Sequence, residues 1–271
     1  MRIIEFDLYK ELLKERSGLH LSADQSYLLE SRLSPVAKKW GFLSLDAMTV
    51  ALQGVPDKNL VHDIVEAMTT NETSFFRDVT PFDIFKDHVL PILIEKRAKE
   101  KEINIWCAGS SSGQEPYSLS MVLKEIEAPG FAKWRKTIKA TDLSTEAIDQ
   151  ADEGLYSQLE VQRGLPVQML VKHFTQEDGK WRISEDTKAI VEHKVFNLLK
   201  NMNKVGAFDV IFCRNVLCYF DDATKADVLE RISKQLAPDG FLFLGKEETT
   251  IGLTDVFAPV KGKDGLFTLA T

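Results

Sequence analysis

Residues 103–125 read INIWCAGSSSGQEPYSLSMVLKE, and this stretch decides the fold. Ile103, Ile105 and Cys107 alternate as in a strand, Gly109 and Gly113 bracket a turn, and Leu119, Val122, Leu123 and Ile126 form the apolar stripe of a helix. Pro116 suits the first turn of that helix, because its fixed φ and missing N–H are harmless there. Strand, glycine loop and helix in this order are the grammar of nucleotide-cofactor sites, which lie beyond the carboxyl ends of strands in open α/β sheets. Two glycines alone also occur in many buried strand-to-helix turns, so the neighbouring features must carry the reading.

The next strand-like run, Thr137 to Ala140, ends in Thr141 and Asp142. An acid at the end of a second strand is where such sites hold ribose hydroxyls; the alternative is that Asp142 caps the helix beginning at Thr145. The loop itself argues against a dinucleotide. A pyrophosphate site wants GxGxxG, whereas here Gly109 is followed by three serines, Gly113, Gln114 and Glu115. A carboxylate beside the loop repels phosphate and attracts an ammonium group. S-adenosylmethionine has an amino group and a ribose and no phosphate, so the charges favour it over NAD.

The whole chain sets bounds on this reading. At 271 residues it has room for one large or two small domains, and its 44% hydrophobic and 28% charged content is that of a globular protein. A net charge of −7 argues against a general nucleic-acid binder. Cys107, Cys213 and Cys218 lie in apolar, strand-like runs without metal-ligand spacing, and an odd count with no signal peptide points to reduced cytosolic thiols. The N-terminus has acids among its apolar residues and no long apolar core, so neither secretion nor membrane insertion is indicated.

Outward from the centre, residues 1–70 read as four short helices. Ile4, Leu8, Leu12 and Leu13 make the first stripe, and Ser22 with Gln25 forms a capping box for the second helix, in which Pro35 predicts a kink. That second helix carries Arg32, Lys38 and Lys39, either a solvated face or a docking face for an acidic helical partner. Residues 71–80 form an interdomain linker that opens with NETSFFRD at 71–78, unusually aromatic for such a segment. Phe75 and Phe76 are either packed core or a support that sets Asn71, Thr73 and Arg77 over a cofactor. Thr80 is the expected N-cap of the next helix, with Pro81 in its first turn.

Together, NETSFFRD at 71–78, WCAGSSSGQEPYSL at 106–119, ATDLS at 140–144, FNLL at 196–199 and FDVIFCRNVLCYFD at 208–221 resemble the CheR family of chemoreceptor glutamate methyltransferases, in the family's order and over nearly the whole chain. The resemblance implies an α/β fold: a class I, Rossmann-like methyltransferase domain with a mostly parallel seven-stranded sheet, its last strand antiparallel, over residues 81–271. A small all-helical N-terminal domain for receptor docking precedes it. The implied cofactor is S-adenosylmethionine, with S-adenosylhomocysteine as its product, and the implied reaction makes methyl esters of receptor glutamates. Asn71, Thr73 and Arg77 would meet the methionine end of the cofactor, with Glu115 near its amino group and Gly109 in the loop beneath. Asp142 would hold the ribose, Asn197 and Leu198 would lie by the adenine, and Arg214, Asn215 and Tyr219 would line the site. Arg77, Arg214 and Tyr219 are the candidates for the chemistry. The partner implied is the cytoplasmic helical domain of methyl-accepting chemoreceptors, met by a cytoplasmic monomer. The family's first loop is usually richer in alanine than the serines found here.

Asp178 and Gly179 mark a hairpin turn, and with the alternation at Val191, His193 and Val195 they suggest an inserted antiparallel β-subdomain over residues 173–195. The loop TQEDGK is short, like that of family members that do without a receptor pentapeptide tether. His173 and His193 have no convergent partners of metal-site type and read as structural. From Phe208 the run FDVIFC, apolar but for Asp209, predicts a central strand, followed by a helix over Asp222–Leu236. The same fold acting on another substrate and a non-catalytic receptor-binding module are the two rival readings.

Overall fold

The computed structural model describes residues 3–270; the side chain of Ile4, the first member of the predicted stripe, lies outside the described residues. The chain divides into two compact units: residues up to Thr70 with Tyr219–Thr224, and Asn71–Cys218 with the residues from Lys225 on.

The first unit is helical, with α1 (Ile3–Ser17), α2 (Ser26–Lys39), α3 (Leu45–Leu52) and α4 (Lys58–Met68). Tyr9, Leu13, Leu29, Leu33, Met48, Leu60 and Ile64 are buried between them, at the spacing that one apolar stripe per helix requires. Gln25 accepts from the Ser22 N–H at 3.1 Å in a 3-10 turn before α2, Ser44 caps α3 and Asp57 caps α4. Helix α2 continues through Pro35 to Lys39, with the Ser34 hydroxyl donating to the Glu30 carbonyl at 2.5 Å. Two of the three basic residues expected on a docking face are engaged inside the unit. The Arg32 guanidinium donates to the Met68 and Thr69 carbonyls and to Thr70 Oγ1 at 2.9, 3.2 and 3.1 Å, closing the C-terminus of α4. Lys39 pairs with Asp63 at 2.8 Å beside the Trp40 indole, whereas Lys38 is exposed.

In the second unit, α5 (Thr80–Ile84) runs through a π turn over Phe85–Val89 into α6 (Leu90–Lys96). The Leu90 N–H reaches back to the Phe85 carbonyl because Pro91 has no N–H to continue the regular ladder. The N-cap of α5 is Val79, one residue before the expected Thr80. Next come β1 (Glu102–Ala108), α7 (Gln114–Lys124), β2 (Arg135–Asp142), α8 (Thr145–Glu153), β3 (Leu155–Tyr156), α9 (Gln158–Gln162), α10 (Val167–His173), β4 (Phe174–Glu177) and β5 (Lys180–Ile183). They are followed by α11 (Glu185–Lys188), β6 (Val191–Val195), β7 (Phe208–Cys213), α12 (Asp222–Ser233), β8 (Leu236–Leu244), β9 (Phe257–Pro259) and β10 (Leu266–Leu269).

The main sheet has seven strands in the order β6-β2-β1-β7-β8-β10-β9, parallel except for β10, which is antiparallel to both its neighbours. Every residue of β7 is buried, as its central position demands. Phe212 and Phe243 stack at 4.3 Å in the core. At the opposite edge from the strand carboxyl ends, Arg97 binds Asp209 at 2.7 Å and Asp239 at 2.6 Å, and holds the Asp239 carboxyl down to about 2.

The small antiparallel sheet differs from expectation in extent. It is β3-β5-β4, with Asp178 and Gly179 both at positive φ in the β4–β5 turn, as a two-residue hairpin needs. Val191–Val195 is not part of it but pairs in parallel with β2 as the edge of the main sheet. The alternation read as hairpin is that of an edge strand, which also has one face packed and one face open. The predicted helix over Asp222–Leu236 stops at Ser233, because Leu236 already pairs with Phe208.

Candidate functional site

The loop after β1 is built by backbone contacts. The Gly109 and Ser110 N–H groups both donate to the Thr141 carbonyl, at 2.8 and 2.9 Å, so the loop folds over the end of β2. Gly109 stands at φ +85°, and a Cβ there would lie 2.2 Å from Val216 Cγ2, so only glycine fits against the segment that follows β7. Ser111 is also at positive φ, donating its N–H to the Asp142 carboxylate at 2.7 Å and its hydroxyl to the Asn71 carbonyl at 2.9 Å. Gly113 then begins α7.

Asp142 is buried at the end of β2 and also accepts the Ser144 N–H at 2.9 Å. The cap of α8 is Ser144, whose hydroxyl accepts the Ala147 N–H, so the alternative role weighed for Asp142 falls to its neighbour. The Phe196 N–H donates to the Asp142 carbonyl at 2.7 Å, which brings Asn197 and the buried Leu198 to the same corner. Asn197 closes its own turn by accepting the Leu199 N–H at 2.8 Å.

At the end of β7 the Arg214 side chain, 1% exposed, ties three segments together. It donates to Glu115 Oε2 at 2.8 Å, to the Arg77 carbonyl at 3.0 Å and to Asp78 Oδ2 at 2.7 Å, and its guanidinium lies 5.8 Å from the centre of the Phe82 ring. Burial pushes the Glu115 carboxyl up, and Arg214 opposes this. Arg77 itself folds back onto the Glu72 carbonyl at 2.9 Å, and Thr73 is half-buried. Two buried polar atoms in these segments lack any partner: Ser110 Oγ and Arg214 Nε. Such orphans are costly unless a ligand satisfies them. A cleft of about 330 Å³ flanks the loop, with Asn71, Thr73, Ser112 and Gln114 facing Glu146 and Gln150.

Both phenylalanines of the linker are core. Phe75 meets Tyr156 and Phe174 edge to face at 5.0 and 5.5 Å, and Phe76 packs on Phe82 at 5.2 Å. Tyr219 falls in the stretch 219–224 of the helical unit, where its carbonyl accepts the His20 N–H at 2.8 Å and its side chain is half-buried.

Sequence comparison adds a family to this geometry. Residues 71–266 match the model described as CheR methyltransferase, SAM binding domain, and residues 4–69 match CheR methyltransferase, all-alpha domain. The chain belongs to the CheR methyltransferase family. The CheR cofactor is therefore S-adenosylmethionine: the Glu115 and Asp142 carboxylates suit a cationic, phosphate-free ligand, and the orphaned Ser110 Oγ and Arg214 Nε leave one hydroxyl and one N–H donor for its polar atoms. The chain is 37% identical to the chemotaxis protein methyltransferase Cher2 of Pseudomonas putida, over 97% of this chain and 96% of that one. It is also 37% identical to chemotaxis protein methyltransferase 1 of Pseudomonas aeruginosa, with the same two coverages, and to chemotaxis protein methyltransferase 1 of Vibrio cholerae, over 97% and 95%.

Sequence reasoning assigned no role to three residues that shape this CheR site. Ser111 holds Asp142 to the loop, Asp78 pairs with Arg214, and Glu248 gathers backbone N–H groups beneath the segment after β7. Asp78 ends the quoted NETSFFRD and could have been suspected from its neighbour Arg77. Ser111 and Glu248 act through contacts distant in sequence, and no local pattern marks them.

Proposed function

We propose that this chain methylates glutamate side chains of chemoreceptors to methyl esters, in chemotaxis. The observation that carries the reading is the Arg214–Glu115 pair at the end of β7 and the start of α7, with Asp142 at the carboxyl end of β2, in a SAM-binding domain whose relatives are named as chemotaxis methyltransferases. Bound there, S-adenosylmethionine supplies a methyl group on a sulfonium, already activated for transfer. Asp142 would hold the ribose, Asn197 and Leu198 the adenine, Asn71, Thr73 and Arg77 the methionine end, and Glu115 the ammonium, while Gly109 gives the loop backbone room and Asn215 lines the site. Arg214 and Tyr219 position the incoming carboxylate.

No general base is required, since a glutamate titrating near 4.3 is ionised at neutral pH. What the chain's residues must do is strip water from that carboxylate and align it. Such alignment is worth about 7–11 kcal/mol in favourable systems. The charge on Arg214 is already matched by Glu115 and Asp78, so the cluster does not repel a cationic donor. The helical domain is the docking piece, through Lys38 on the exposed face of α2. The short β4–β5 turn suits a receptor without a pentapeptide tether.

The test is transfer of labelled methyl from S-adenosylmethionine to membranes containing chemoreceptors, followed by base-labile methanol release. Label that stays on the protein through base treatment, or no label at all, overturns the reading. Normal turnover in both Tyr219→Phe and Arg214→Ala, with the proteins folded, removes those two residues from the chemistry.

A further inference from the structure

Glu248 lies outside every motif above, yet its carboxylate accepts four backbone N–H groups. Oε2 accepts the N–H groups of Asn215 and Gly245 at 2.8 and 2.7 Å, and Oε1 those of Val216 and Cys218 at 2.8 and 3.2 Å. Three of these four donors belong to the segment that follows β7. A run of N–H groups converging on one anion is a nest, and here the anion is a side chain of the same molecule.

The nest stabilises a conformation the chain would not choose unaided. Asn215 stands at φ +59°, a region that a non-glycine residue occupies only at a cost. Gly245 is equally constrained: a Cβ there would come within 2.7 Å of Glu248 Oε2 and 2.9 Å of the Asn215 nitrogen, so glycine is what lets the end of β8 close on the clamp. The segment so fixed bears Arg214 at its start. It also carries Val216, whose Cγ2 fills the space that a Cβ on Gly109 would take. One carboxylate therefore sets the path of the β7 segment, and through Val216 the seat of the loop after β1.

We propose that Glu248 is a positioning residue for the cofactor site: it touches no reacting atom, and it fixes Arg214, Asn215 and the Gly109 loop in the arrangement that binds the cofactor. This rests on the assignment of those residues to the cofactor, made above.

The experiment uses the full chain and measures S-adenosylhomocysteine affinity by calorimetry alongside thermal unfolding without ligand. Glu248→Gln keeps size and shape, but its amide nitrogen cannot accept, so in either orientation two of the four N–H groups face a donor. The expected result is an affinity at least tenfold weaker. Gly245→Ala, which pushes on the clamp without removing its charge, shifts affinity the same way and serves if the Gln variant does not fold. Arg97→Ala provides the comparison, since it breaks an ion-pair cluster at the far edge of the sheet: it lowers the unfolding temperature and leaves affinity within twofold of the parent. Parent-like affinity in both clamp variants, or equal loss in Arg97→Ala, overturns the inference. A parent protein that binds S-adenosylhomocysteine and methylates no receptor defeats the proposed function and leaves this inference standing.

Discussion

Arg214→Ala strands Glu115 in a buried position without its counter-charge, and breaking a buried pair in this way costs about 3–5 kcal/mol. The sign with pH follows from burial. Glu115 has its folded pKa raised, so the stability it permits is fully present below the unfolded value and is lost as pH rises through the folded one. Arg214→Ala is therefore expected to lose most stability at neutral pH and less near pH 5, and adding Glu115→Gln recovers much of it; urea unfolding at the two pH values checks this. His193 behaves oppositely. Neither of its ring nitrogens has a partner, and burial against Tyr117 lowers its pKa to about 4. Its contribution is intact above 6.5 and falls away as pH drops toward 4, by roughly 3 kcal/mol at 1.36 per unit. His193→Phe should be more stable than the parent, with a flatter urea midpoint between pH 7 and pH 4; an unchanged pH slope contradicts this. Asp142→Ala removes an acceptor for Ser111 and, under the proposed assignment, for the ribose, and should weaken S-adenosylhomocysteine at least tenfold by calorimetry. The positions of Asp142 at the end of β2 and Arg214 just after β7 were legible because each closes a strand-like run. The contacts of Arg32 with the end of α4 were not legible, because a guanidinium that closes a helix end looks, in sequence, like any basic residue on a helix face.

Among the elements, the linker stores the most conformational strain. Phe76, Asp78 and Val79 are all at positive φ, and Val79, at φ +53° and ψ −58°, forms a γ-turn in which the Thr80 N–H donates to the Asp78 carbonyl at 2.5 Å. For a β-branched residue this costs about 1–3 kcal/mol. The turn is held by the Phe76 N–H on Ser118 Oγ at 2.9 Å and by Arg214 on the Arg77 carbonyl. Glycine adopts the same angles freely at an entropic cost of about 0.5–1 kcal/mol, and Val79 is 56% exposed, so Val79→Gly should leave stability unchanged or raise it by about 1 kcal/mol. A loss above about 1 kcal/mol in urea unfolding would show that the turn is not strained. The sequence announced strands and helices through their apolar periods, and the Asp178–Gly179 hairpin through its dipeptide. It could not assign β6, since an alternating run fits a hairpin and a sheet edge equally well, and partner choice is made by residues fifty positions away.

At the scale of the molecule, the net charge of −7 makes the exposed lysines of α2 conspicuous to an acidic partner. Lys38→Glu should reduce receptor methylation several-fold at low salt, with the difference shrinking as salt screens it, and leave S-adenosylhomocysteine affinity unaltered. Equal loss of both would place the effect in folding instead. Fold class and cofactor were legible at this scale because the order of the motifs along the chain fixes the order of the strands.

That order has a final consequence for synthesis. Within the main sheet β9 pairs with β10 alone, and β10 lies later in the chain, between β8 and β9. A nascent polypeptide still lacking Leu266–Leu269 can assemble the parallel strands around β1, yet it must leave β8 open along one side and β9 unmoored. Domains generally fold as units during translation, and unpaired strand edges are where growing chains aggregate. Stalling or premature termination before Leu266 should thus yield insoluble product, even though the segments bearing Asp142, Glu115 and Arg214 have already been made.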